Sequence, residues 1–245
     1  MLEAFRPVSL IVGTWPTDDF HLPEPLSDFG KQMVERFAWF ERVKELKVAG
    51  LVGPANQLNL GLDVPRLILE GSRQSWQLEV APQKMNFRRL VREPTRTVEL
   101  FEQVVECLLP MQAWLAENYN LRVYRIGALL HLFCNMRSSA NERMAAHLLQ
   151  SAAMQGRPAH AIHLSVLSRL SLEGGQAVNR WTRIQPLRSR DARHVDFAAK
   201  IEIDINTLPE NTQTKTSREI RQFLEDVAVH IDRDMPLLQD ETFIG

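Results

Sequence analysis

The chain has 245 residues, 44% hydrophobic and 24% charged, with a net charge of −1. That balance excludes long disorder, collagen-like repeats and a coiled coil, and the length is enough to bury a core without disulfides or metals. Two cysteines, Cys107 and Cys134, leave no room for a disulfide framework or a four-cysteine zinc site within one chain.

Residues 8–15 form a short β-rich apolar run closed by Pro16, and 16–27, with three prolines and three acids, read as a loop. Asp28 then opens a helical pattern in Phe29, Met33, Phe37, Phe40 and Val43, with Ser27 or Asp28 as its cap. Between 48 and 90 the signals turn to strand. Val48–Val52, the Leu58/Leu60/Leu62 alternation, Leu67–Leu69, and Trp76, Leu78 and Val80 running on to Met85 and Phe87 predict an antiparallel meander. Residues 97–118 predict a long amphipathic helix capped by Thr97 and kinked or broken at Pro110.

Leu121–Phe133 is a strand whose apolar run predicts burial on both faces. Ser139 and Glu142 form a capping box for a short helix. Ile162, Leu164 and Val166 are followed by Leu170 and Leu172 with a slip that predicts a β-bulge near Leu167. Gly174–Gly175 is a turn, and 177–186 is a strand around Trp181 and Ile184. The cleanest strand is 195–205. Val195, Phe197, Ala199, Ile201, Ile203 and Ile205 line one face, and Asp196, Lys200, Glu202, Asp204 and Asn206 line the other. Thr216 and Glu219 form a second capping box, ahead of a helix that stops near Pro236. Strands in runs with helices at their ends indicate an α+β fold of antiparallel sheets and long amphipathic helices. The element order fits a duplicated β-α-β-meander-α unit, with an N-terminal half at 1–120 and a C-terminal half at 121–245, or one continuous domain.

Charge is segregated along the chain. Residues 1–80 carry 8 basic and 11 acidic groups, 81–195 carry 16 and 8, and 196–245 carry 5 and 11. The acidic end can neutralise the basic middle after folding, or the middle can meet a partner. Two arginine-rich runs stand out: Arg88, Arg89, Arg92 and Arg96, and then Arg180, Trp181, Arg183, Arg188, Arg190 and Arg193. Arginine beside an aromatic suits either a protein interface or phosphate contact with base stacking. These ten residues are the candidate partner or nucleic-acid site.

Catalytic signatures are missing. No glycine-rich phosphate loop, G-x-S-x-G elbow or H-E-x-x-H occurs. His160 and His163 would point to opposite faces of a strand, so no metal site is expected. The His194–Asp196 pair, the His131–Cys134 pair and the Glu202–Asp204 carboxylates are each explained by a solvated sheet face or a buried thiol. An enzyme with a dispersed active site around His194, Asp196 or Glu202 stays as the alternative; no cofactor is expected.

No segment reaches the roughly 20 apolar residues that span a bilayer. The start, MLEAFRPVSLIVGTWP, has no basic n-region and no small-residue cleavage site. A cytoplasmic protein without membrane attachment is expected.

Three segments, Leu78–Phe87, Tyr124–Phe133 and Ile201–Asn206 with its following loop and closing helix, resemble a sporadically distributed, uncharacterised family of bacterial proteins of about this length. The resemblance implies an α+β fold and an association with defence or mobile-element gene clusters, and it brings no active-site residue. The expected function is a non-catalytic accessory or binding subunit working through a protein partner or a second copy, with nucleic-acid binding as the alternative.

Overall fold

The computed structural model describes residues 5–17, 21–46, 64–72, 75–135, 164–187 and 198–238. Its frame is one antiparallel sheet. The strands are β1 (Arg6–Pro16), β2 (Arg42–Glu45), β3 (Leu67–Glu70), β4 (Trp76–Val80), β5 (Met85–Leu90), β6 (Val123–Asn135), β7 (Leu164–Ser171), β8 (Ala177–Leu187) and β9 (Ala198–Thr207). The 9 strands lie in the order β2-β3-β4-β5-β1-β6-β9-β8-β7. The sheet is continuous across residues 120 and 121, because β1 pairs with β6 along most of its length. The fold is therefore a mixed α+β arrangement built on one large antiparallel sheet.

Three helices among the described residues lie against one side of this sheet: α1 (Leu26–Arg36), α2 (Thr97–Tyr119) and α3 (Ser217–Leu238). Period-two alternation in the strands fixes which side chains they cover. Leu10 and Val12 of β1, Ile126, Ala128, Leu130 and Leu132 of β6, and Ile201, Ile203 and Ile205 of β9 are all buried on that side. From the helices come Phe29 and Met33, Leu100, Phe101, Val104 and Leu108, and Phe223, Leu224, Val227 and Ile231. Phe29 packs edge-on against Tyr119, which ties α1 to the end of α2.

Several sequence expectations need correcting. The first helix ends at Arg36, because Phe37 is extended there; Val43 belongs to β2. Its N-cap is Pro25, and Ser27 and Asp28 lie inside the first turn. α2 runs unbroken through Pro110, and Arg96, not Thr97, is the capping residue. The Arg96 backbone N–H donates to Glu99 at 3.4 Å. α3 ends at Leu238, close to Pro236 as expected.

No bulge occurs at Leu167. β7 pairs with β8 in unbroken register from Leu164↔Ile184 to Ser171↔Ala177, so Leu164, Val166 and Leu170 all share one face. β6 is fully buried on the helix side, whereas Leu129, His131 and Phe133 on its other side are half-buried. The Thr216–Glu219 capping box is present in full: Thr216 N–H donates to the Glu219 carboxylate at 2.7 Å, and Glu219 N–H donates to the Thr216 hydroxyl at 3.2 Å. The strands expected at Val48–Val52 and Leu58–Leu62, the capping box at Ser139 and the histidines His160, His163 and His194 with Asp196 lie outside the described residues.

Candidate binding face

The side of the sheet opposite the helices is half-exposed, and the same alternation that fills the core puts a mixed set of residues there. Ile11, Trp15, Leu129, Phe133 and Trp181 stand among Arg88, Glu79, Lys200, Glu202, Asp204 and Arg183, all of them half-buried. Adjacent strands bring these residues into cross-strand rows. One row is Arg88, Ile11, Leu129, Asp204 and Trp181; the next is Asn86, Gly13, Gly127 and Asn206.

That second row explains the most distinctive feature of the face. Gly13 and Gly127 are direct cross-strand partners on the two central strands, so the pleat carries no side chain there. The result is a hollow of about 250 Å³ floored by the two glycines. Ile11, Leu129, Trp181 and Asp204 wall one side, and Trp15, Lys84 and Arg125 wall the other. Asn86 and Asn206 flank the floor from the outer strands. The Asn206 amide lies directly on Gly127, where an added Cβ would meet its Oδ1 at 1.9 Å. Asn206 Nδ2 donates to Asp204 Oδ1.

The charge in the hollow is uneven. The Lys84 ammonium sits 4.6 Å and the Arg125 guanidinium 4.5 Å from the centre of the Trp15 ring. Neither cation has a carboxylate within ion-pair reach among the described residues. Arg125 Nε and Asn86 Oδ1 are both buried without a hydrogen-bond partner. Leaving such polar atoms unpaired costs about 1–3 kcal/mol each.

Beside the hollow a third row runs Ser9, His131, Glu202 and Arg183. The Ser9 hydroxyl and His131 Nδ1 are hydrogen-bonded at 2.8 Å, and Glu202 lies 3.6 Å from His131 Nε2. Burial first, then Lys200, and to a lesser degree Arg88, push His131 down to about 4, against the pull of Glu202. Burial pushes the Glu202 carboxyl up. The Lys200 hydrogen bond and charge, with His131 and Arg183, more than offset this and hold it low. Serine, histidine and a carboxylate are the residue types of an acyl-transfer triad. Here Ser9 is only 5% exposed, and Lys200 and Arg183 already take up the carboxylate. Such a histidine stays neutral and internally satisfied, which suits a structural network better than a general base.

The structure divides the arginine-rich candidates between the two sides. Arg88 is on the open face, donating to Gln77 Oε1 at 3.2 Å, with Glu79 at 3.9 Å. Trp181 and Arg183 are there too, with the guanidinium 5.4 Å from the ring centre. Arg89 turns to the helix side, 4.5 Å over Trp76. Burial lowers Arg89 there, and pushes the nearby Cys107 thiol up to about 11. Arg180 also faces the helices, bonded to Asp234 and, at 2.8 Å, to His230. Arg92 and Arg96 sit in the connection from β5 to α2, and Arg188, Arg190 and Arg193 lie outside the described residues. Cys134 is buried on the helix side, opposite in parity to His131, so the two form no dyad.

Sequence reasoning passed over Trp15, Lys84, Arg125, Asn86 and the two glycines. The available signal was a glycine within each of two long apolar strands, which marks a place where something approaches the backbone closely.

Among the described residues no group of His, Cys, Asp and Glu is placed to hold a metal ion, and no helix is long and apolar enough to cross a membrane. No protein-family model matches the chain, and no curated protein matches it. Among solved structures the chain is similar to Methanococcus jannaschii TBP, at 12% identity and a TM-score of 0.28, over 94% of this chain and 99% of that one. That score is too low to assign a fold.

Proposed function

We propose that the chain is a non-catalytic accessory or binding protein of the cytoplasm, and that the open face of its sheet holds a protein partner. The observation that carries this reading is the composition of that face: tryptophan, phenylalanine and aliphatic side chains interleaved with arginine and carboxylates, opposite a side covered by helices. Aromatic and arginine side chains are the types enriched in protein interfaces. A nucleic-acid surface would want its arginines free and on one side; Arg88 is bonded to Gln77, and Arg89 and Arg180 point to the helices.

We also infer that the two halves are copies of one unit. The support is the strand order: outward from the central β1–β6 pair come β5, β4 and β3 on one side and β9, β8 and β7 on the other. Each half has a glycine at the centre, Gly13 or Gly127, and an asparagine beside it, Asn86 or Asn206. Glu99 follows Asn86 at the same sequence distance as Glu219 follows Asn206, and each glutamate accepts a backbone N–H at the start of its helix.

The test is purification from the native host at mild salt, read by mass spectrometry and the 260/280 nm absorbance ratio. A stoichiometric protein is expected with the natural chain and is lost from Phe133→Ala and Arg183→Ala, both on the open face. Equal retention by those variants, together with loss from Val229→Asp on the exposed surface of α3, would place the interface elsewhere. A raised 260/280 ratio that falls with salt would favour nucleic acid.

A further inference from the structure

We infer that the hollow over Gly13 and Gly127 receives an acidic side chain of a partner polypeptide; this rests on the partner-binding reading of the open face. Lys84 and Arg125 are held against Trp15 with no carboxylate among the described residues within ion-pair reach, so the site offers two positive charges. On the facing wall is an acceptor, the Asp204 carboxylate. An acidic residue in a peptide matches both walls, with its carboxylate toward the cations and a backbone N–H beside it toward Asp204.

A nucleic-acid phosphate matches one wall only. Its oxygens accept and do not donate, and they would face the Asp204 carboxylate. The missing side chains at Gly13 and Gly127 supply the space. A Cβ on Gly13 would come within 3.2 Å of Lys84 Cε and 3.3 Å of Asn86 Oδ1 and the Trp15 ring, and so would narrow the hollow and crowd the lysine stem.

The probe is a fluorescein-labelled short peptide of alternating glutamate and alanine, followed by anisotropy against the full chain. Its glutamine–alanine counterpart and a single-stranded oligothymidylate run in parallel. The acidic peptide is expected to bind, and Lys84→Gln and Arg125→Gln are each expected to weaken it at least about tenfold. Gly13→Ala, which keeps both cations, is expected to weaken it as well and serves if either charge variant fails to fold. Equal binding of the glutamine peptide, binding unchanged in these variants, or binding of the oligothymidylate alone overturns the inference.

The two readings fail separately. A host partner that stays on Lys84→Gln and Arg125→Gln but leaves Phe133→Ala and Arg183→Ala overturns the role of the hollow and keeps the face. Peptide binding that depends on Lys84 and Arg125, with no co-purifying protein, supports the hollow and overturns the host partner.

Discussion

The two sides of the sheet are made by the same strands and obey different rules. On the helix side, Leu130, Ile203 and Phe223 are packed to near-zero exposure, and polar groups gather in clusters such as Arg180–Asp234–His230. On the open side nearly every residue is half-covered by its neighbours, and stability comes from networks that run across strands, such as Ser9–His131–Glu202–Arg183. The helix side tolerates change in proportion to the volume removed. The open side should respond to charge, protonation and the fit of single atoms.

The largest expected effect is on the helix side. Phe223→Ala removes a ring that is 1% exposed between α3 and the sheet. Large-to-small changes of this kind cost about 3–5 kcal/mol, and chemical denaturation would measure it. A loss under about 1 kcal/mol would mean that α3 is loosely seated and that the contrast between the sides is wrong.

Acid probes the other side. His131 is held at about 4, below its ordinary 6.5, so the unfolded chain takes up a proton over that interval while the folded chain does not. Stability therefore rises with pH across the window from about 4 to 6.5 and is lost as pH falls through it. His230, lowered first by burial and then by Arg180, acts in the same direction from the helix side. Glu202, held low overall, extends the loss to more acidic pH. After allowance for solvent screening, His131 is expected to contribute about 2 kcal/mol. His131→Gln should flatten part of the melting-temperature profile between pH 4 and 6.5, and a profile identical to the natural one would exclude His131 as a source.

The third effect tests atomic fit. Gly127→Ala puts a Cβ 1.9 Å from Asn206 Oδ1, so the amide must move and its bond to Asp204 must give way. A cost of about 1–3 kcal/mol is expected. In an Asn206→Ala background the same change should cost much less, and a double-mutant cycle with no coupling would show that the glycine is there for another reason.

How much of this was legible in the sequence follows the same division. Alternation read Ile201, Ile203 and Ile205 onto one face, and Lys200, Glu202, Asp204 and Asn206 onto the other, because periodicity needs only neighbours along the chain. The hollow was not legible. It exists because β1 and β6, far apart in sequence, pair with Gly13 opposite Gly127, and register between distant strands is not written in either strand alone. Arg88 and Arg89 show what alternation does reach: it separates the two, and only what each one meets depends on the partner strands. A run of adjacent cations looks like one patch, yet consecutive strand residues point to opposite sides, and the two ended on Gln77 and Trp76 respectively. Bulge and helix-cap expectations failed at Leu167 and Thr97, where the local pattern was read without the partner strand or the preceding residue.

The smallest effect sets the scale for the rest. Thr216→Ala removes a hydroxyl that both accepts from Glu219 N–H at 3.2 Å and donates to the Glu219 carboxylate at 2.7 Å. Backbone and hydroxyl bonds from Thr216 also hold that carboxyl below the ordinary range. A loss of about 1 kcal/mol is expected, because a helix start left uncapped exposes N–H groups that the helix cannot satisfy. Arg169→Ala breaks an ion pair to Glu210 of similar length, 3.1 Å, but with side chains 63% and 57% exposed. It should change stability by less than about 0.5 kcal/mol, since water competes for both charges. Two bonds of comparable distance would then differ in effect because one completes a helix and the other decorates a surface. Equal losses from the two substitutions would show that bond length, and not what the bond terminates, governs the outcome.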